Sequence, residues 1–398
     1  MTGIEVRTPM AEHIHGGDIY SRHYDIDFST NINPMGMPRA AVEAAIEGVR
    51  LSGRYPDPQC TELAEAVSRA EQVPADWLLF GCGAAELIYD LARAIGPRSA
   101  LLVSPGFFEY EQALTACGCA DIRFYPCTEE NGFRIGEDYL DWLEDFDDPA
   151  ATDAFDDPAG SGAPDYMDNP ENAGNPDHAD KRPDMIYLCN PGNPTGVEID
   201  RELLGRILQV CRRNRIVAVV DECFTDLMDD AEIATVKAEL EHNPYLVVLR
   251  AFTKTYAMPG LRLGYAICPD SALLTKVRNI RQPWSLSVPA QMAGAAALTE
   301  PDFLERSREM ISRERAFLRG ELIRLGLTVY DSRANYVFFR GPEGLTQRLG
   351  EAGILIRDCS NYRGLGEGYY RIAVRTQEEN RVLTGRMERC LKPSILRR

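Results

Sequence analysis

Short apolar runs alternate with longer segments of helical periodicity through the first two thirds of the chain. The apolar runs predict strands at 78–80, 100–103, 122–125, 185–189, 216–220, 245–249 and 264–267. The periodic segments predict helices at 39–53, 61–70, 85–94, 109–116 and 203–214. Because short strands separated by helices are joined by crossovers, this order predicts an α/β fold with a mostly parallel, doubly wound sheet.

The two ends of the chain follow a different pattern. The first 45 residues form an arm rich in turn signals, among them Gly16-Gly17 and the run NINP at 31–34. Beyond Ser287, long helices at 290–298 and 301–325 precede strands at 337–339 and 370–374. We therefore expect three parts, with the arm and the C-terminal part together forming a smaller α+β lobe. These parts are the arm at 1–45, a large domain at 46–283 and a small domain at 284–398.

Charge changes the picture in one place. The chain has 398 residues and a net charge of −18, which argues against nucleic-acid binding because that needs a basic surface. Between Asp147 and Asp180 there are ten acidic residues, five prolines and no Lys or Arg, so the rest of the chain carries −18 + 10 = −8. With few aliphatic side chains, the insert at 147–182 is expected to be disordered at the surface. A binding site there for a basic partner or a metal remains open.

The composition points to a protein outside membranes and secretory routes. No run approaches the roughly 20 apolar residues of a membrane span, and the N-terminus has no apolar signal region. The eleven cysteines are scattered, with no CxxC pair and no histidines at zinc spacing. We expect free thiols in a cytoplasmic protein and no metal site.

Lys254 is the first residue that carries chemistry. It follows the predicted strand 245–249, and Arg262 stands eight residues later in the loop PGLR. Most single lysines are solvated surface charges. In this position, however, the amine suits an enzyme of pyridoxal 5'-phosphate (PLP), where a lysine forms a Schiff base with the cofactor and later moves the Cα proton. Arg262 would then bind the cofactor phosphate.

Two further strand ends carry matching groups. Asp221 ends the strand 216–220, where parallel sheets bind ligands, and could pair with the pyridinium nitrogen of PLP. Taken alone, a helix N-cap would be the better interpretation of this aspartate. Asn193 lies in NPGNPTG (190–196) after the preceding strand at 185–189 and could hydrogen-bond O3' of the cofactor, although this motif alone indicates a turn.

Other segments supply supporting groups. The run GCGAAE (81–86) joins a strand to a helix, so the backbone of Cys82, Gly83 and Ala84 can bind phosphate. Phe107 could stack on the pyridine ring, or be an ordinary core residue. Arg371, on the late strand, suits a substrate carboxylate, with a surface salt bridge as the alternative.

Taken together and in this order, these motifs resemble the fold-type-I PLP enzymes of the class I/II aminotransferase group. The resemblance covers nearly the whole chain apart from the acidic insert. Within the group, two families compete: the histidinol-phosphate aminotransferases and the threonine-phosphate decarboxylases of the cobalamin pathway. The segments that resemble the decarboxylases are HGG (15–17), DFSTNINPMGMP (27–38), RYPDP (54–58) and IRDCSNYRGLGEGYYRIAVR (356–375).

The resemblance to the decarboxylases implies a reaction and a set of contacts. The reaction would be decarboxylation of O-phospho-L-threonine to (R)-1-aminopropan-2-yl phosphate, with histidinol-phosphate aminotransferase activity or a phosphoserine substrate as alternatives. Tyr55 would reach the cofactor phosphate of the neighbouring subunit, which implies a homodimer. The substrate phosphate would contact His15, Gly16, Asn31 and Arg357, and the substrate carboxylate would contact Arg371 and Asn193.

Two residues depart from the family pattern. Phe224 stands where members often have a tyrosine that bonds O3', and Ala251 stands where the decarboxylases usually have a serine that binds phosphate. Both changes predict somewhat weaker cofactor binding with the chemistry retained, because Thr253, Arg262 and the loop at Gly83 would still bind the phosphate. PLP-sensing transcription regulators share this fold, but they carry a DNA-binding domain ahead of it, and here the segment before the first motif is short and the protein acidic.

Overall fold

The computed structural model describes residues 15–144 and 182–392. The predicted acidic insert lies outside the described residues except for Arg182, as do the first fourteen residues of the arm.

The described strands are β1 (Ile26–Asp27), β2 (Leu78–Cys82), β3 (Ser99–Ser104), β4 (Asp121–Pro126), β5 (Met185–Cys189), β6 (Val217–Asp221), β7 (Leu246–Ala251), β8 (Leu263–Ile267), β9 (Thr328–Val329), β10 (Tyr336–Arg340), β11 (Ile354–Leu355), β12 (Arg357–Asp358) and β13 (Tyr369–Ala373).

The described helices are α1 (Arg39–Arg50), α2 (Thr61–Glu71), α3 (Gly83–Ile95), α4 (Phe108–Ala116), α5 (Asp141–Glu144), α6 (Arg201–Arg213), α7 (Ala231–Ala234), α8 (Phe252–Thr255), α9 (Ser271–Ile280), α10 (Val288–Ala297), α11 (Phe303–Arg324), α12 (Leu345–Glu351) and α13 (Gln377–Leu391).

A seven-stranded sheet in the order β2-β8-β7-β6-β5-β3-β4 forms the centre of the molecule. Strand β8 runs antiparallel to both of its neighbours, β2 and β7, and the other pairs are parallel. The prediction of a mostly parallel sheet in an α/β fold is therefore confirmed. All seven predicted strands are present, with ends displaced by one or two residues.

Both faces of this sheet are covered, as doubly wound sheets require. Alternate residues of the central strands enter different apolar clusters: Ala218 and Val220 on one face, Val217 and Val219 on the other. Because side chains alternate along a strand, a continuous apolar run is needed to bury both faces. The run IVAVV before Asp221 meets this requirement.

A second lobe combines the arm with the C-terminal part. Strands β12, β13, β10 and β9 form an antiparallel sheet, and β1 of the arm pairs with β11 in parallel. The backbone N–H of Phe28 donates to Leu355 O at 2.7 Å, and the N–H of Ala373 donates to Phe28 O at 2.8 Å. The division of the chain at residues 45 and 283 stays a prediction.

Six of the described helices were not predicted by the sequence analysis: the short α5, α7 and α8, and the longer α9, α12 and α13. The longest, α13, begins at a capping box in which Thr376 and Glu379 bond each other's backbone N–H groups. Its signal, T-x-x-E, was present in the sequence. Within the described ranges, no helix combines the length and the apolar character needed to cross a bilayer.

Candidate active site

Three neighbouring strands bring polar groups to one edge of the central sheet. Cys189 at the end of β5 lies beside Asp221 at the end of β6, which lies beside Leu249 on β7. Ala251 ends β7, and Lys254 follows within one turn on α8. Because the strands are parallel, their carboxyl ends meet at this edge, where such sheets bind ligands.

A cavity of about 370 Å³ opens at this edge. Most of the predicted site residues line it, although they are widely separated along the chain. They are His15, Gly16, Asn31, Ala84, Phe107, Asn193, Asp221, Thr253, Lys254, Arg262, Arg357 and Arg371.

Three predicted site residues do not line the cavity. Cys82 and Gly83 lie behind its wall at the start of α3, where Cys82 O accepts a hydrogen bond from Arg262 Nη2 at 3.4 Å. Tyr55 is 77% exposed and packs on Trp284, with ring centroids 4.7 Å apart. The individual roles of all fifteen residues stay predictions.

Lys254 carries an amine that loses its proton easily. Burial lowers its pKa to about 8, and the positive charges of Arg371 and Arg262 act in the same direction. The carboxylate of Asp221 opposes this shift only weakly. A substantial share of the amine is therefore neutral near pH 8, as a nucleophile that attacks an aldehyde requires.

Asp221 is held by hydrogen bonds to both of its carboxylate oxygens. The phenol of Tyr110, on α4, donates to Oδ2 at 2.6 Å, and the backbone N–H of Cys223 donates to Oδ1 at 3.0 Å. Asp221 is 5% exposed. An ionised carboxylate in such a place is stabilised by these donors and suits a partner that carries a proton. The N-cap alternative does not hold, because no α-helix begins in the described residues directly after Asp221, and the next one, α7, starts at Ala231.

A cradle for an anion lies between the start of α3 and Arg262. Gly83 has a φ of +76°, and a Cβ there would lie 2.6 Å from Arg262 Nη2. Gly264 on β8 leaves room for the backbone at the start of α3, because a Cβ at position 264 would lie 2.4 Å from Ala84 N. Only glycines permit this approach, which brings the guanidinium to the N-terminus of a helix whose free N–H groups attract anions.

Two more arginines line the opposite wall and are almost fully buried. Arg371, on β13, donates to Ser29 O at 2.9 Å and to Asn193 Oδ1, while its Nε has no hydrogen-bond partner. Arg357 donates to Asn361 Oδ1 at 2.8 Å and to the carbonyl of Asp358. Neither forms an ion pair within the described part of the chain, so both guanidinium groups remain available to an anionic ligand.

One acidic residue on the wall was missed by the sequence analysis. The Oε1 atom of Glu109, a residue of α4, lies 2.8 Å from His15 Nε2. Its Oε2 atom accepts a hydrogen bond from the hydroxyl of Tyr89 at 2.9 Å. The contact fixes the arm against the large domain. Nothing local marked this residue, because a glutamate in the first turn of a helix is common there for its favourable dipole interaction alone.

The two departures from the family pattern also lie in the wall. Ala251 and Phe224 belong to a small apolar cluster with Tyr336, whose ring meets Phe224 edge-on at 5.2 Å. Both face the cavity, so each replaces a hydroxyl by an apolar surface.

The donor set fits PLP. A cradle that a Cβ would fill suits its phosphate, and a buried carboxylate suits its ring nitrogen. An amine of lowered pKa suits its aldehyde, and the unpartnered Oδ1 of Asn31 and Nε of Arg371 await ligand groups. Such groups at the carboxyl edge of a mostly parallel sheet make this chain a PLP-dependent enzyme.

Comparison with known proteins agrees with the site. Residues 24–387 match the family described as aminotransferase class I and II. Threonine-phosphate decarboxylase of Salmonella typhimurium is 35% identical over 389 residues, covering 95% of this chain and 96% of that protein. Histidinol-phosphate aminotransferase 1 of Cupriavidus pinatubonensis is 30% identical and covers 92% and 88%. The solved histidinol-phosphate aminotransferase of Clostridium acetobutylicum superposes with a TM-score of 0.77 at 25% identity, covering 92% and 99%.

The chain belongs to the aminotransferase class I and II family, and its fold is that of the fold-type-I PLP enzymes. The resemblance seen in the sequence is thereby confirmed.

Proposed function

We propose that this enzyme decarboxylates O-phospho-L-threonine to (R)-1-aminopropan-2-yl phosphate and CO₂, the step that serves the nucleotide loop of cobalamin. The proposal rests on the charge of the cavity, on the segments that resemble the decarboxylases and on the relative from Salmonella typhimurium.

The main support for the proposal is an excess of positive charge in the cavity that no carboxylate of the described residues pairs with. Arg262, Arg357 and Arg371 all line the cavity, and none forms an ion pair with a carboxylate of the described residues. The acidic side chains of the wall are Asp221 and Glu109. A cofactor phosphate and a substrate with both a phosphate and a carboxylate would satisfy these guanidinium groups with charge-assisted hydrogen bonds.

The positions of the groups suggest how they divide the work. PLP, when bound, supplies an electron sink for the bond that breaks at Cα. Lys254 presents a neutral Nζ as nucleophile and afterwards returns a proton to Cα from that atom. Asp221 keeps a proton on the ring nitrogen through its carboxylate. Which bond at Cα breaks would depend on how this chain's own residues hold the substrate.

The anion-binding groups are the ones that can turn the substrate. We assign the substrate phosphate to His15, Gly16, Asn31 and Arg357, and the carboxylate to Arg371 and Asn193. If the first set clamps the phosphate, Arg371 and Asn193 would hold the carboxylate in the position from which CO₂ leaves. An aminotransferase would need the Cα proton in that position instead.

The experiment compares the two reactions directly. We expect the purified holoenzyme to release CO₂ from O-phosphothreonine without 2-oxoglutarate. Glutamate formed from histidinol phosphate and 2-oxoglutarate, with no CO₂ from phosphothreonine, would contradict the proposal and favour the aminotransferase. Parallel assays with O-phosphoserine show whether the methyl group of threonine matters.

A homodimer with shared active sites is the second part of the proposal. Tyr55 is exposed and does not line its own cavity, and the outer face of α1 exposes Val42, Ile46 and Val49, which a partner subunit would cover. Mixing inactive Lys254→Ala with an inactive Tyr55→Ala variant tests this. In a mixed dimer, one site carries both defects and the other neither, so activity returns; a mixture that stays inactive after subunit exchange contradicts shared sites.

A cytoplasmic location is proposed from the thiols. All eleven cysteines are unpaired, several of them deep in the core, which suits a reducing compartment. Alkylation of the denatured protein, purified from cells under non-reducing conditions, should modify all eleven.

A further inference from the structure

Tyr110 is a buried phenol that the proposed chemistry leaves without a role. It is 4% exposed, on the inner face of α4, and its hydroxyl donates to Asp221 Oδ2 at 2.6 Å. This distance is short for a hydrogen bond between two oxygens and is typical of a hydroxyl that donates to an ionised carboxylate.

The buried surroundings of the Tyr110 ring make its hydroxyl the donor in this hydrogen bond. Tyr110 stacks on Tyr187 with centroids 4.7 Å apart and planes 7° from parallel, and Phe107 meets it edge-on at 5.5 Å. Burial raises the pKa of the Tyr110 phenol well above its usual value, and the charge of Asp221 raises it further. The phenol therefore keeps its proton near neutral pH and remains a donor.

A hydrogen bond donated to Asp221 changes how a proton is shared between its carboxylate and the ring nitrogen with which it is proposed to pair. Hydrogen bonds to a carboxylate stabilise its ionised form and make it a weaker base. A weaker base leaves more of the shared proton on its partner. We propose that Tyr110 is a positioning and tuning residue that acts through Asp221 to keep the ring nitrogen of PLP protonated.

The other titratable groups around Asp221 do not compete for this task. Burial raises the pKa of Cys189 on β5 and of Cys223, which follows β6. It also raises the pKa of Tyr187 on β5 and of Tyr336 on β10, so all four side chains are neutral. Tyr187 donates to the carbonyl of Ile88 instead. Lys254, on α8, is a cation that interacts electrostatically with Asp221.

The inference concerns the cofactor and rests on Asp221 as its partner, but not on the substrate. A decarboxylase and an aminotransferase both need an electron-poor ring. A failed assay with phosphothreonine would therefore leave it standing, and a failed test below would leave the decarboxylase proposal standing.

The decisive variant is Tyr110→Phe, which keeps the ring and its stacking and removes only the hydroxyl. Tyr187→Phe is the matched control, because it removes the neighbouring buried hydroxyl from the same stack without touching Asp221. Each holoenzyme is loaded with PLP labelled with ¹⁵N at the ring nitrogen. We expect the ¹⁵N resonance of Tyr110→Phe to move toward the unprotonated value, and that of Tyr187→Phe to remain with the wild type.

Two further measurements separate tuning from a purely structural effect. With less positive charge on the ring, the visible absorption of the lysine-bound cofactor should titrate at a higher pH, by roughly half a unit or more. In the steady state, kcat should fall roughly tenfold, the scale of one hydrogen bond to a charged group, with KM nearly unchanged. A structural defect would instead lower thermal stability and the content of bound cofactor in both variants.

Fluorinated tyrosine at position 110 provides a test in the opposite direction. Its phenol is a stronger donor of the same shape, so the ¹⁵N resonance should move further toward the protonated value. The proposal is overturned if Tyr110→Phe leaves the ring-nitrogen resonance unchanged, if Tyr187→Phe shifts it equally, or if the fluorinated and phenylalanine variants move it in the same direction.

Discussion

The backbone N–H of Asn33 donates to the carbonyl of Lys254 at 3.1 Å, which joins the arm to the turn that carries the reactive lysine. The side-chain amide of Asn33 adds hydrogen bonds to Thr255 O and Ser307 Oγ, both at 2.8 Å. Asn33 is 2% exposed. The run NINP therefore serves two purposes: Asn31 faces the cavity, and Asn33 fixes the lysine turn from behind.

Replacing Lys254 by alanine should abolish both the visible absorption of the bound cofactor and measurable turnover. In the proposed reaction the amine is both the nucleophile and the proton carrier, and no other lysine lines the cavity within the described residues. Spectra and CO₂ release of Lys254→Ala are compared with those of Lys276→Ala, which changes a lysine on α9 far from the site. Near-normal turnover by Lys254→Ala would contradict the assignment.

The capture of PLP by the apoenzyme should follow the lowered pKa of Lys254. Only the neutral amine attacks an aldehyde, so the rate should rise with pH up to about 8 and level off above it. An ordinary lysine would drive a rise that continues to about pH 10.4. Stopped-flow absorption after mixing apoenzyme with PLP measures this profile, and a rate still climbing between pH 9 and 10 would show that burial does not lower this pKa.

Arg357→Ala should lower kcat/KM by roughly 30- to 5000-fold, because losing a charged contact to a desolvated phosphate costs roughly 2–5 kcal/mol. The cofactor spectrum should not change. Arg357→Lys should recover only part of the loss, since an ammonium group cannot form the two parallel hydrogen bonds of a guanidinium. Arg340→Ala, which removes an exposed ion pair with Glu129, serves as the control for surface charge. Equal losses in both alanine variants would argue against a phosphate contact.

Restoring the missing hydroxyl at position 251 should strengthen cofactor binding. Ala251 is 5% exposed and faces the cavity, so Ala251→Ser adds a donor where the decarboxylases usually have one. One additional hydrogen bond should lower the dissociation constant of PLP by roughly three- to tenfold. Ala251→Cys is the matched control, because a thiol of similar size is a weak donor. If both variants bind PLP alike, the effect comes from volume.

Removing residues 148–179 and joining the ends with a short Gly-Ser link should leave kcat/KM nearly unchanged. This segment lies outside the described residues, and the expectation rests on its composition and on the small closure cost of surface insertions, about 0.6 kcal/mol for each doubling of length. Yield, melting temperature and kinetics of the shortened enzyme measure the result. A large loss of any of these would assign the insert a structural or functional task.

The sequence predicted those features that depend on local pattern. Asp221 and Lys254 follow apolar runs that could only be buried strands, so their place at the edge of the sheet could be inferred from the order of residues alone. Tyr110 and Glu109 could not be found in this way. Tyr110 meets Asp221 across 111 positions of the chain, and this contact depends on how α4 packs on strands whose order no local pattern reveals.

The direction of β8 was also not predicted by the sequence analysis, for a similar reason. Strand β8 resembles the other strands in composition, but it enters the sheet antiparallel between β2 and β7. Its direction follows from the short loop after Lys254, which returns the chain beside β7 and brings Arg262 to the cradle. The residue pattern of one strand does not show which strands pair with it or in which direction they run.

The bridge made by Arg371 has a consequence for how the protein is made. Its guanidinium joins Ser29, 342 positions earlier, to Asn193 in the large domain. Ribosomes deliver the chain from its N-terminus, and the whole central sheet, with Lys254 and Asp221, has been synthesised before the strand of Arg371. A nascent chain therefore contains Lys254 and Asp221 before it contains Arg357 and Arg371, so an incomplete chain lacks the two arginines to which the anionic groups of the substrate are assigned.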